Sequence, residues 1–357
     1  MSYLENWDKI KVRFEALWEN EIVDRCCINI TTWKKGAKLK EFSEPRDEAA
    51  LLTYRTDPHM INERFLELDK NVYYAGDAVP ILALNFGANA YSTQFGCKPI
   101  ADENTIWFTE SVKDWDKDEL IYDPNDEYTQ LFLKTMKELA ILGKDKYFVS
   151  MGDNTSALDA LAQIRGTQNL MMDFICEPER VKNATKILID AWLHMNERQF
   201  DILKETGQDG SCIGWLSTWA LGKHSQLQCD LSVMISPEQF DEFASEELTR
   251  AANSLDNALY HFDGIEQTRH LDCLLSIEKI KMIQWTNVPG QPPVTDCFDT
   301  LKRIQAAGKG LLLILTPDQI ETVMENLSSK GLYIVTNANS EEEADYLVKL
   351  AAKLTRE

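Results

Sequence analysis

The sequence contains no apolar run approaching the roughly 20 residues needed to cross a bilayer. Its first residues, Met1 to Asp8, form neither a basic nor an apolar leader region. Neither a membrane-spanning nor a secreted protein is expected, and the chain is read as cytoplasmic. There is no CxxC pair and no short-spaced Cys/His motif of the zinc-ribbon kind; the eight cysteines are scattered and are expected to be reduced and buried. Positive charge is scarce, with 37 Lys and Arg against 58 Asp and Glu and a net charge of −21. Repulsion of that sign works against nucleic acid, anionic membranes and polyanionic substrates. The chain also lacks internal repeats, low-complexity tracts and a Gly-rich loop after its first apolar strand. The last absence argues against an open dinucleotide-binding sheet.

What is present is globular in composition, with 44% hydrophobic and 27% charged residues. A length of 357 residues allows two ordinary domains or one large one. An amphipathic helix is expected over 3–20, carried by Leu4, Trp7, Ile10, Val12, Phe14, Leu17 and Trp18 at helical spacing, and expected to pack outside whatever follows. Short apolar strands follow at 26–30, 79–84, 146–152, 258–263, 281–285, 310–315 and 332–336, with a further one at 211–217 or 227–231. Helices fall between them at 45–70, 126–142, 156–165, from 167, and at 177–206, 239–255, 267–276, 296–307, 317–329 and 340–355. Several starts are signalled directly: Pro58, Pro178, and Ser236 followed by Pro237. Gly207 signals a stop. Eight strands, each followed by a helix, predict an α/β fold: a single-domain (β/α)8 TIM barrel over 1–357 with an N-terminal helix. A long irregular insertion, 91–125, follows the second strand.

In such a fold, side chains at the carboxyl ends of the strands form the site. His261 and Asp263 stand at i and i+2, so an extended chain sends both to one face, and Gly264 permits a sharp exit. Asp153 and Asp230 come from the third and fourth units and supply two more carboxylates. Gln284 and Trp285 end the sixth strand, and the stiff loop 289–293 shapes the wall beside them. Trp33 and Trp215 are further candidate walls. Paired carboxylates with tryptophans also fit a glycosidase, although strand-end Asp is commonly a helix cap and Trp commonly core. His270 reads as part of a helix face and His224 as a solvated loop histidine.

The second half resembles the uroporphyrinogen decarboxylase superfamily, which includes methyltransferases that pass methyl groups from corrinoid proteins to thiols. The resemblance rests on Leu231 to Phe240 (LSVMISPEQF), Tyr260 to Gly264 (YHFDG), Met282 to Trp285 (MIQW), Gly308 to Gly310 (GKG) and Lys330 to Val335 (KGLYIV). It implies the barrel, a small-molecule substrate and a site at His261 and Asp263, beside which Asp230, read from its place at the rim, is the third catalytic candidate. The decarboxylase branch carries an arginine pair after its first strand and an aspartate after its second. Here those places read Lys34 and Lys35 beside Trp33, and Asn85. The methyltransferase branch binds zinc through His-x-Cys and a later Cys; this chain has His261, Asp263 and Asn339 in those places. The resemblance therefore implies a methyltransferase-like enzyme acting on a corrinoid-bound or small methylated substrate, with a corrinoid protein as partner. The alternatives are uroporphyrinogen decarboxylation and a barrel that only binds a small molecule. His261 and Asp263 read either as zinc ligands or as an imidazole hydrogen-bonded to the carboxylate or backbone, and the residues alone leave both open.

Overall fold

The computed structural model describes residues 2–356. The chain opens with α1 (Ser2–Trp18) and β1 (Cys27–Trp33). Next come α2 (Glu48–Thr56) and α3 (Pro58–Asp69), whose first turns are closed by Asp47 accepting from Ala50 N and Asp57 accepting from Met60 N. Strands β2 (Val72–Gly76) and β3 (Ile81–Leu82) precede a hairpin of β4 (Pro99–Ala101) and β5 (Ile106–Phe108). The Asp102 carboxylate turns that hairpin by accepting from Asn104 N and Thr105 N. Then follow α4 (Glu127–Leu142), β6 (Phe148–Val149), α5 (Ala157–Arg165), α6 (Thr167–Cys176) and α7 (Pro178–Thr206). A second hairpin joins β7 (Ser211–Ile213) to β8 (Thr218–Ala220). After β9 (His224–Leu227), the capping box of Ser236 and Gln239 starts α8 (Pro237–Phe243), and α9 (Ser245–Asn253) follows. The remainder alternates: β10 (Asn257–Phe262), α10 (Leu271–Ser276), β11 (Ile280–Trp285), α11 (Phe298–Ala306), β12 (Gly310–Ile314), α12 (Ile320–Asn326), β13 (Leu332–Asn337) and α13 (Glu341–Leu354).

The protein is thus mixed α/β, organised on a seven-stranded sheet of order β2-β1-β13-β12-β11-β10-β9. Every pairing in it is parallel except β2 with β1. Alternation divides the strands into two apolar faces. Cys27, Leu259, Met282, Leu312 and Tyr333 form one cluster, while Ile28, Ala258, Tyr260, Ile283, Leu311 and Ile334 join the core shared with the surrounding helices. We call the first the inner face. The N-terminal helix does not pack outside, as expected from sequence. Its Ile10, Phe14, Leu17 and Trp18 belong to the inner cluster, with the Phe14 ring 5.5 Å from Tyr333 and Trp18 Nε1 donating to Trp219 O at 2.9 Å.

Short backbone links tie the remaining strands together. Strand β3 pairs in parallel with β6, Phe148 N donates to Pro80 O at 3.0 Å, Ser150 N to Leu82 O at 2.9 Å, and Met151 N to Cys212 O at 2.9 Å. On the other side, Asp77 N donates to Ile28 O at 2.7 Å. That approach depends on Gly76: at φ 68°, a Cβ there would lie 2.2 Å from Ile28 O, an impossible contact for any other residue. Asp77 is fully buried and paired with Arg25 and Arg13, so this junction is charged as well as tight.

Candidate active site

Register sets the centre of the site. His261 on β10 lies beside Gln284 on β11, one step along the inner face from Leu259 and Met282. The imidazole Nδ1 is hydrogen-bonded to Gln284 Oε1 and lies 3.3 Å from Thr286 Oγ1, while Gln284 Nε2 donates to Thr286 Oγ1 at 3.0 Å. A carbonyl oxygen is an acceptor only, so Nδ1 carries a hydrogen, and in the neutral ring Nε2 keeps its lone pair. The partner is an amide and a hydroxyl, and not Asp263. Trp215 packs against the imidazole edge-on at 5.0 Å. Beyond the strand, Asp263 N donates to Gln267 Oε1 at 3.0 Å, and Gln267 Nε2 donates to Cys229 O at 3.1 Å. Gly264, at φ 77°, passes directly under the loop 289–293: a Cβ there would lie 2.4 Å from Gln291 Oε1, which instead accepts from Ile265 N. The stiff loop is therefore pinned to the exit of β10.

A second polar row crosses the inner face from β9. Trp215 Nε1 donates to Gln226 Oε1 at 2.6 Å; Gln226 Nε2 donates to Asp153 Oδ1 and to Gln228 Oε1 at 3.0 Å; Gln228 Nε2 donates to Asp230 Oδ2 at 3.1 Å. Behind this row, Asp159 accepts from the backbone N–H groups of Asp230 and Leu231 at 3.0 and 2.9 Å. Burial raises the Asp153 carboxyl, against the pull of Gln226 and of His261. The Asp230 carboxyl is pushed up to about 6 by the protein around it and by the nearby charge of Asp263, with Gln228 opposing. Its side chain reaches solvent at the rim, which softens that shift. Burial and the charge of Asp230 push Asp159 up to about 7.

One more carboxylate braces the row from outside. Glu247 on α9 is buried and accepts from Ala157 N at 2.6 Å and Leu158 N at 3.1 Å, the free donors at the start of α5. Burial pushes it up to about 8 although both N–H groups favour the anion. Asp159 and Glu247 therefore hold protons to a higher pH in the folded chain than in the unfolded one, where such groups titrate near 4. In the window between those values the native state binds more protons, so stability falls as pH rises. His224, lowered to about 4 by burial, has the opposite sign but is silent above its unfolded value near 6.5. Thermal melts are expected to show Tm decreasing by roughly 2–6 °C from pH 6.5 to 8.5. The slope should be flatter in Glu247→Gln; a Tm rising with pH over this range would contradict the argument.

Of the residues singled out from sequence, His261, Asp263, Gln284, Asp153, Asp230 and Trp215 are brought together. Trp33 stands half-exposed at the end of β1. Asn85 links the exit of β3 to the β4–β5 hairpin, with Thr105 Oγ1 3.4 Å from its Oδ1. Trp285 is not a wall of the cleft: it leaves the opposite face of β11 from Gln284 and stacks on Phe262 at 5.3 Å in the core. Asn339 is turned to Glu343, to which its Nδ2 donates at 2.8 Å, and belongs to the start of α13. His224 is no solvated loop residue but fully buried on β9, between Thr218 Oγ1 at 2.8 Å and Asn257 O at 2.7 Å. His270 is buried against Phe240. Most cysteines are buried, but Cys176 is exposed and Cys273 half-buried. Thr286, Gln226, Gln228 and Asp159 were not expected from sequence; the alternation of His224, Gln226, Gln228 and Asp230 is the signal that locates the row.

The donor set does not fit zinc. His261 and Asp263 offer one nitrogen and one carboxylate, and among the described residues no group of three His, Cys, Asp or Glu side chains could hold a metal ion. Among the described residues no helix is long and apolar enough to cross a membrane.

The structure defines a mixed α/β protein whose polar groups gather at the carboxyl ends of parallel strands and offer one oriented imidazole and several carboxylates. No family model and no curated protein matches the sequence. Among solved structures, the chain is similar in fold to a methyltransferase from Methanosarcina mazei, with a TM-score of 0.60 at 12% sequence identity, over 96% of this chain and 98% of that one.

Proposed function

We propose that the chain is a single-domain (β/α)8-barrel enzyme of the uroporphyrinogen decarboxylase superfamily with a methyltransferase-like activity, acting on a corrinoid-bound or small methylated substrate. The backbone links from β3 through β6 to β7, and from Asp77 to β1, support closure of the strands into one barrel. The likeness in fold to a methyltransferase over nearly the whole chain supports the reaction class. The observation that carries the reading is the fixed imidazole, with Nδ1–H on Gln284 and Nε2 left to accept a proton. As a methyl acceptor attacks the methyl carbon, Nε2 takes the acceptor's proton, the acceptor's lone pair forms the new bond, and the leaving group departs with the old bonding pair. The Asp153 carboxylate lies close enough to stabilise the imidazolium that results. An octa-anionic tetrapyrrole fits this cleft poorly. It would meet Asp153, Asp230 and Asp263, while the ammonium of Lys34 is bound to Lys70 O at 2.9 Å.

The test uses methylcobalamin with a small thiol, following loss of the cobalt–carbon absorbance and formation of the methyl thioether. Turnover above the protein-free blank supports the reading. If neither methylcobalamin nor a panel of methylated amines, ethers and thioethers yields product, the reading fails.

A further inference from the structure

The charge balance of the cleft selects a substrate class. One hydrogen-bonded row, Gln226 to Gln228, joins Asp153 to Asp230, and Asp230 also feels the charges of Asp263 and Asp153. Their side-chain hydrogen bonds come from neutral amides, Gln226 on Asp153 and Gln228 on Asp230. None of Asp153, Asp159, Asp230 and Asp263 forms a salt bridge with a Lys, Arg or His among the described residues, although twenty such bridges occur elsewhere. Negative charge gathered without a salt-bridging cation is unfavourable; the raised Asp153 and Asp230 carboxyls relieve it in part by holding protons, and a cationic ligand relieves it directly.

Two aromatic faces adjoin these carboxylates. Trp215 is 43% exposed with its N–H held by Gln226, and Trp107 is 58% exposed with its N–H held by Asp102 at 2.6 Å. With the polar edge of each indole tied down, the π face is what remains to be offered, the surface that attracts cations. Trp107 and Asp230 line one groove together with Asp159, Glu110, Phe108 and Met234, and no Lys, Arg or His takes part in its lining. The groove thus joins Asp230 to an apolar and acidic shoulder.

We propose that the cleft binds an organic cation, a protonated or quaternary methylated amine, with its charged head among Asp153, Asp230 and Asp263 and its methyl groups against Trp215. This rests on the reading of the cleft as the site of a small methylated substrate and names that substrate's charge. Carboxylates satisfy the cationic head without taking its methyl groups as hydrogen-bond partners, and the indole face adds attraction that a neutral isostere does not receive.

The experiment is calorimetric titration of the full chain with three probes of one shape: choline, its uncharged isostere 3,3-dimethyl-1-butanol, and the anion 3,3-dimethylbutanoate. Choline is expected to bind at least ~10-fold more tightly than the alcohol, with affinity falling as salt is raised. Asp230→Asn and Trp215→Ala should each weaken choline by about 5-fold or more while melting like the parent. Asp153→Asn serves as a second carboxylate variant if Asp230→Asn does not fold. Equal binding of choline and alcohol, or preference for the anion, overturns the cation assignment; sensitivity to Trp215→Ala would then keep the cleft as a ligand site and leave the methyl-transfer reading standing. Absence of saturable binding by all three probes overturns the proposal, and methylcobalamin turnover tells separately whether the enzymatic reading survives.

Discussion

Replacing His261 with Ala is expected to lower methyl transfer by roughly 10²–10⁴-fold, the range over which a positioned acid–base group contributes. The side chain is half-buried and meets Gln284, Thr286 and the edge of Trp215. Its loss should leave a pocket open to solvent rather than a sealed cavity, so the melting temperature should move by only about 2 °C. The companion variant is Gln284→Leu, which keeps the imidazole but removes the acceptor that fixes its hydrogen on Nδ1. A smaller loss is expected there, because the imidazole is still present but its tautomer and orientation are no longer fixed. Rates are read from the cobalt–carbon absorbance at several pH values. Activity within about threefold of the parent in His261→Ala would remove the imidazole from the chemistry.

The largest effect on stability is expected at Asp77. Its carboxylate accepts from Arg25 Nη1 at 2.5 Å, Arg25 Nη2 at 3.0 Å, Arg13 Nη1 at 3.1 Å and Ile28 N at 2.9 Å, and it has no exposure to solvent. Asp77→Ala would strand Arg25, itself only 6% exposed, and leave the Ile28 N–H without its acceptor. Breaking a buried pair from one side costs about 3–5 kcal/mol. In urea unfolding the midpoint should fall with little change in slope. Asp77→Asn, which keeps one acceptor oxygen, should fall between. A cost below about 1 kcal/mol for Asp77→Ala would mean that Arg25 finds solvent or another partner.

The parts of the fold that were legible in sequence are those with strong periodicity. The runs at 258–263, 281–285, 310–315 and 332–336 are continuous and apolar because both faces of those strands are covered. The pair His261 and Asp263 could be placed on one face by counting in twos. The same count assigns Trp285 to the face opposite Gln284, and its bulk and position at the strand end obscured this. Of the two ranges offered for the fourth strand, 211–217 contains the short β7 and 227–231 meets β9 only at Leu227, because the inner residues of β9, His224 and Gln226, and Gln228 beyond them are polar, so a buried strand looks like a loop. Their burial depends on Thr218, Trp215 and Asp153, which come from other elements and carry no local signal. The hairpins β4–β5 and β7–β8 are built of three-residue strands, too short for alternation to show. Antiparallel β2 follows α3 directly and draws its stability from β1 rather than from its own pattern.

The inner-face seat of α1 has a consequence for how the chain is made. The helix leaves the ribosome well before its partners Trp219, Met282, Leu312 and Tyr333, which lie far downstream. Until they emerge, Ile10, Phe14, Leu17 and Trp18 have only the earlier members of the cluster, such as Cys27 and Val79, to pack on, and the strands that arrive later complete the cover. Full docking of α1 therefore waits for the later strands, and it couples segments distant in sequence into one cooperative unit. During synthesis the apolar stripe of α1 is one that a chaperone would cover.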